Sequence, residues 1–107
     1  MSVKTASSAT PSSSTDSVRL PGNLTMESAV KLAISEDKPI LLDYWTASIE
    51  KSALIGVRDT GEKLLVKSQD EYTSPIQKIY KTGEDYIIMT ENSIYLVSTT
   101  ISTRKIQ

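Results

Sequence analysis

Cysteine, histidine and phenylalanine are absent from this chain, and the first two absences exclude much of the chemistry familiar in small domains. Without Cys there is no disulfide and no thiolate, and without His no imidazole exchanges protons near neutrality. The usual zinc sites, built from the same two residue types, are lost with them. A small domain that needs no disulfide needs no oxidising compartment, so an intracellular, non-secreted setting is expected. Excess charge of either sign is missing as well: 12 Lys and Arg stand against 13 Asp and Glu, a net charge of −1. Proteins that grip a phosphate backbone carry a basic face, and no run here predicts one, so no nucleic-acid partner is expected. No apolar run approaches the roughly 20 residues of a membrane span. The opening Met1-Ser2-Val3-Lys4-Thr5-Ala6 lacks the apolar core of a secretion signal. The four glycines are isolated, so there is no phosphate-cradling loop.

An enzyme lacking His and Cys would need carboxylates, Lys or Tyr in a shielded pocket. The adjacent pairs Asp70-Glu71 and Glu84-Asp85 fall in turn-like sequence, where carboxylates are solvated and point apart. No catalytic group, cofactor or metal is therefore expected, and the chain reads as a non-enzyme.

What is present divides in two. Met1 to Ser17 holds seven serines and three threonines with few apolar side chains. Such a stretch cannot bury enough surface to offset its ordering entropy, so residues 1–22 read as an extended Ser/Thr-rich arm. Residues 23–107 read as one small domain, the most that 107 residues can hold. Thr25 is placed as an N-cap with Glu27 in the first turn, and Met26, Ala29, Val30, Ala33 and Ile34 fall on one helical stripe. The helix is expected over about Met26–Ser35, with Pro39 beyond its end.

Ile40-Leu41-Leu42-Asp43-Tyr44-Trp45 is the most apolar segment and suits a buried strand. From Lys51 onward the period is two. Ala53, Ile55 and Val57 oppose Leu54 and Gly56, and Leu64 and Val66 oppose Leu65. Ile76 and Tyr80 share a face opposite Ile79. Gly61, Gly83 and the Glu91-Asn92 pair mark turns, with Asn92 tolerant of the left-handed region. Thr99–Ile106 is a last strand whose Arg104 and Lys105 suit an exposed edge. The fold class is α+β: one N-terminal helix packed on a five- to six-stranded, mostly antiparallel curled meander or small open barrel.

Two segments resemble known families. Asp37-Lys38-Pro39-Ile40-Leu41-Leu42-Asp43-Tyr44-Trp45-Thr46-Ala47-Ser48 resembles the helix-to-strand entry of thioredoxins. Their Cys-x-x-Cys is replaced here by Thr46-Ala47-Ser48-Ile49, and hairpins follow where that family alternates strands and helices. More broadly, Lys38–Trp45, Ile55–Arg58, Glu62–Ser68, Asp70–Ile76 and Thr90–Tyr95 resemble a family of small virion-associated proteins of nucleocytoplasmic large DNA viruses, the giant viruses among them. This second resemblance implies a non-enzymatic structural or assembly role, as a minor capsid or virion component in the virion or host cytoplasm. The β domain would dock on larger capsid or core components and the arm would extend over neighbours; no site residue is carried over. A soluble adaptor that captures a peptide through an edge strand or an aromatic face is the alternative. In either case the residues expected at a protein contact are Tyr44, Trp45, Tyr72, Tyr80, Tyr95 and Arg104.

Overall fold

Two consecutive strands carry apolar side chains on both faces, and the other elements are layered around them. In β6 (Asp85–Thr90) Ile87 and Met89 alternate with Ile88, and in β7 (Ile94–Ser98) Ile94 and Leu96 alternate with Val97. All six are buried. A strand apolar on both sides needs a covering layer on each. On one side Ile87, Met89, Ile94 and Leu96 pack with Trp45 and with Ala29 of helix α1 (Asn23–Glu36). On the other, Ile88 and Val97 meet Ile55 and Leu65 of a second sheet. Fully burying such a side chain contributes about 1.5–3 kcal/mol, so these strands form the centre of the stability. The computed structural model describes residues 19–106; the Ser/Thr-rich stretch Met1–Ser17 lies outside the described residues.

The class is α+β, but the sheet is neither a single meander nor a barrel. Eight strands form two four-stranded sheets. The first has the order β1 (Ile40–Leu41), β7, β6, β5 (Ile76–Thr82); the second has β4 (Glu71–Tyr72), β3 (Lys63–Ser68), β2 (Leu54–Val57), β8 (Ser102–Lys105). Each is mixed, since β1 runs parallel to β7 and β2 parallel to β8 while the remaining neighbours are antiparallel. Alternation identifies strands without naming their partners. After β4 the chain reaches Pro75, which has no N–H for a ladder, and the next strand begins another sheet. β8 then returns to β2 as an exposed edge, with Arg104 and Lys105 as foreseen.

The local expectations fared unevenly. Gly61 and Gly83 do take positive φ, 93° and 61°. Asn92 does not; its turn is closed by Thr90, whose N–H donates to the Ser93 carbonyl and whose Oγ1 accepts from the Ser93 N–H. The strand expected over Ile40–Trp45 ends at Leu41, because Tyr44 and Trp45 turn into the short helix α2 (Trp45–Ile49). β1 does pair in parallel, yet at the sheet edge and over two residues. That is neither the central parallel strand of a thioredoxin nor part of an all-antiparallel sheet. Ile76 and Tyr80 do not share a surroundings: a bulge between Ile76 and Lys78 shifts the register, so Ile76 packs between the sheets and Tyr80 under the helix.

Helix α1 is rotated from the expected stripe. Thr25 and Ala29 are buried, with Leu32 and Ala33 packed beside them, whereas Val30 and Ile34 face out at 45% and 78% exposure. The cause lies in β6. The Asp85 carboxylate accepts the Thr25 hydroxyl at 2.7 Å and the Gly22 N–H at 2.9 Å, which turns Thr25 inward. Thr25 is thus inside the first turn rather than capping it, and the N-cap position is Gly22.

Candidate functional site

Three places gather polar or aromatic groups, and their chemistry differs. The first surrounds Asp85. Its Oδ1 accepts Arg19 Nη1 at 2.9 Å, while Arg19 Nη2 donates to the Glu84 carbonyl and to Ser98 Oγ, each at 3.2 Å. The Arg19 guanidinium lies 5.0 Å from the centre of the Trp45 ring, and the Trp45 indole N–H donates to the Arg19 carbonyl at 2.7 Å. Residues 19–22, read from sequence as part of the arm, are therefore clasped to the domain. Burial alone would push the Asp85 pKa up; the Gly22 N–H, the Thr25 hydroxyl and Arg19 outweigh it and hold the carboxyl below its ordinary 3.8. A carboxylate supplied with three donors, from Arg19, Gly22 and Thr25, stays ionised in the folded protein. Asp85 is a structural node, not the solvated turn residue that its sequence neighbourhood suggested.

The second place lies between the sheets. Tyr44 and Tyr95 meet edge to face with ring centroids 5.4 Å apart, and Lys67 Nζ sits 4.9 Å from the Tyr44 ring centre. Burial, followed by the nearby Glu71, Tyr95 and Asp43, pushes the Tyr44 pKa up to about 12. Burial likewise raises Tyr95, against a Ser93 hydrogen bond that lowers it and with Asp43 raising it further. Neither phenol serves as a base near neutral pH. Among the described residues no group of three acidic, His or Cys side chains could hold a metal ion, and no helix is long and apolar enough to cross a membrane.

The third place is the open face of the second sheet, and it is the candidate site. Registers put Tyr72 beside Val66, Val66 beside Leu54, Leu64 beside Gly56 and Gly56 beside Arg104. Paired residues share a face, so all of these side chains point away from the core. Ile106 folds across Gly56 so closely that a methyl added there would lie 2.6 Å from Ile106 Cδ1. The result is a cleft of about 480 Å³ lined by Arg58, Leu64, Val66, Ser68, Tyr72 and Ile106, with Gln69 at its end. Tyr72 is 54% exposed, while Leu64 at its floor is only 2% exposed. Arg58 Nε is shielded from solvent yet has no acceptor, and its Nη1 reaches Glu62 Oε1 only at 3.8 Å.

Of the six residues expected at a contact, the structure places Tyr72 in the cleft and Arg104 on the same face at the opposite edge of the sheet, outside the cleft lining. Tyr44 and Trp45 are buried at 3% and 4% exposure. Tyr95 packs between the sheets and Tyr80 under the helix. Those four hold layers together, each packed against one of the two apolar clusters of the core. Sequence reasoning missed Arg58 and Ile106 as part of the face. It did set Leu64 and Val66 opposite Leu65, and following that alternation from Gly56 to Arg58 was the available signal. No protein-family model, curated protein or solved structure matches the chain.

Proposed function

We propose that this protein is a non-catalytic docking module that engages another protein through the open face of its second sheet. One observation carries the reading: a layer whose inner side is fully packed presents on its outer side an apolar-floored cleft bounded by Tyr72 and Arg58. A concave apolar surface with a few convergent polar groups is what binding sites use. The face is a better candidate than the edges. β5 carries Lys78 and Lys81 and β8 carries Arg104 and Lys105, and charges on an edge strand oppose the addition of another strand.

The resemblance to virion-associated proteins supplies the specific form of this reading. The partner would then be a larger capsid or core component, met in the virion or host cytoplasm. The test places a photo-crosslinking amino acid at position 72 or 104, and at Glu50 on the opposite side as control, in the full chain in its native cell. A discrete adduct from positions 72 and 104 and none from 50 is expected. If all three positions give the same diffuse background, the docking reading is wrong. Recovery of capsid peptides from the adduct decides for the virion form, and peptides of an unrelated host protein decide against it.

A further inference from the structure

We infer that the cleft on the second sheet recognises an acidic peptide, taking an aliphatic side chain on its floor and the neighbouring carboxylate on Arg58. This rests on the docking reading and names the chemistry of the partner.

The floor and the rim ask for different things. Val66 and Ile106, half-buried around the buried Leu64, offer aliphatic surface with no polar atom to satisfy, so the group above them is apolar. Tyr72 stands at the side with half of its surface in solvent, an amphipathic wall of the kind enriched at protein contacts. At the rim Arg58 holds a shielded Nε–H that nothing in the fold accepts. Its one carboxylate neighbour, Glu62, lies 3.8 Å away from Nη1 and is half exposed, too far for a hydrogen bond. The guanidinium presents donors in a fixed fork that matches a carboxylate in two-point fashion. Arg104, on the same face, makes no ion pair among the described residues, since the five salt bridges present do not include it. Arg58, a cation with donors to spare at the side of an apolar trough, fits an anion attached to an aliphatic chain. A basic peptide would meet repulsion from it, and from Arg104 farther along the same face.

The experiment titrates the isotope-labelled full chain with three blocked tetrapeptides, Ala-Leu-Glu-Ala and its Gln and Lys counterparts, and follows backbone amide shifts by NMR. The Glu peptide is expected to move the amides of Arg58, Leu64, Val66, Tyr72 and Ile106 and to bind about tenfold more tightly than the Gln peptide. That ratio is the margin of a charge-assisted hydrogen bond over a neutral one. Arg58→Gln should abolish the margin while leaving the Gln peptide unaffected, and Glu62→Gln should widen it about twofold by freeing Nη1. Both side chains are substantially in solvent, so the variants retain the fold, as unchanged shifts in β6 and β7 would verify. Equal affinity for all three peptides, shifts confined to other surfaces, or no binding by any of them overturns the inference. If crosslinks form at position 72 while the Glu peptide has no advantage, the acidic preference is wrong and the docking face stands.

Discussion

Arg19 and Arg58 are two guanidiniums at opposite fates. Arg19 closes a region in which every polar group has a partner: Asp85, the Glu84 carbonyl and Ser98 receive it, and Trp45 lies beneath it. Arg58 borders a region in which the fold supplies no acceptor for its inner nitrogen and only a distant carboxylate for its outer ones. The first region joins residues 19–22, helix α1 and the central sheet into one unit, and it sits over the strands that are buried on both faces. The second region lies on a layer that needs only one of its faces for the core. The contrast separates what this molecule uses to stay folded from what it has left over to bind with. Buried polar groups without partners are costly; the closed region around Asp85 holds none among the described residues, and the one that is present, Arg58 Nε, borders the open face.

The largest effect should come from the centre of the closed region. Ile88 is fully buried between the sheets, and truncating it opens a cavity in tightly packed surroundings. Ile88→Ala should lower stability by about 2–5 kcal/mol, read as a shift of the urea midpoint. Tyr72→Ala on the open face should change it by no more than about 1 kcal/mol. Similar losses for the two variants would erase the distinction between the regions.

Next comes the node that joins arm and helix to β6. Asp85→Asn keeps the size of the side chain but removes the charge that Arg19, Gly22 and Thr25 all address, and should cost about 2–3 kcal/mol at pH 7. The loss has a pH signature. The folded pKa of Asp85 lies below its ordinary 3.8, so as the pH falls the unfolded chain takes up the proton first. The contribution of Asp85 is complete well above 3.8 and drains away as the pH drops through the folded value. Urea midpoints measured from pH 7 downwards should therefore converge for the two proteins in acid. Tyr44 supplies the opposite limb: its pKa is raised from 10.0 to about 12, so its stabilising share is complete below 10.0 and disappears as the pH rises through about 12. Parallel acid limbs for wild type and Asp85→Asn would remove Asp85 from its place as the node.

How much of this was legible follows the physics of each signal. Period-two alternation locates β2, β3, β5, β6 and β7, and Gly61 and Gly83 fix two of the turns, because local sterics decide both; the two-residue β4 (Glu71–Tyr72) lies in polar sequence that reads as a loop. Partner choice was not local. Nothing in Ser102–Lys105 announces a parallel pairing with Leu54–Val57, nearly half the chain away. The bulge at Ile76 moved one side chain to the other side of its sheet without a glycine or other marker to betray it. Asp85 was hidden by its setting: next to Glu84 and two residues from Gly83, it reads as a solvated turn acid, and only the fold reveals Thr25, Gly22 and Arg19 converging on it. The rotation of α1 follows from that hidden contact, which is why Val30 and Ile34 were assigned to the wrong side of the helix. On the candidate face, alternation sets Leu64 and Val66 on one side as the structure does, while Tyr44 and Trp45 read as contact residues yet are buried, because an aromatic residue signals burial and recognition equally well.

The smallest effect on stability should carry the sharpest information about the open face. Gly56 sits between Leu64 and Arg104 with its own φ in the ordinary range, so Ala there suffers no backbone strain. Its methyl would, however, lie 2.6 Å from Ile106 Cδ1 and 3.1 Å from Val66 Cγ2. Cδ1 is the far end of the Ile106 side chain, and Ile106 lies just beyond the edge strand β8, so the side chain can swing aside without breaking the sheet. The expected cost in the urea midpoint is therefore about 1 kcal/mol or less. Moving Ile106 nevertheless takes away one wall of the cleft while leaving Arg58 and Tyr72 where they are. If the open face binds through its shaped floor, Gly56→Ala should weaken the Glu-containing peptide at least as much as Arg58→Gln does, with β6 and β7 amides unchanged. If binding depends on the guanidinium alone, Gly56→Ala will leave affinity intact. The face would then be an electrostatic patch, and its contrast with the closed region would be one of charge pairing rather than of packing.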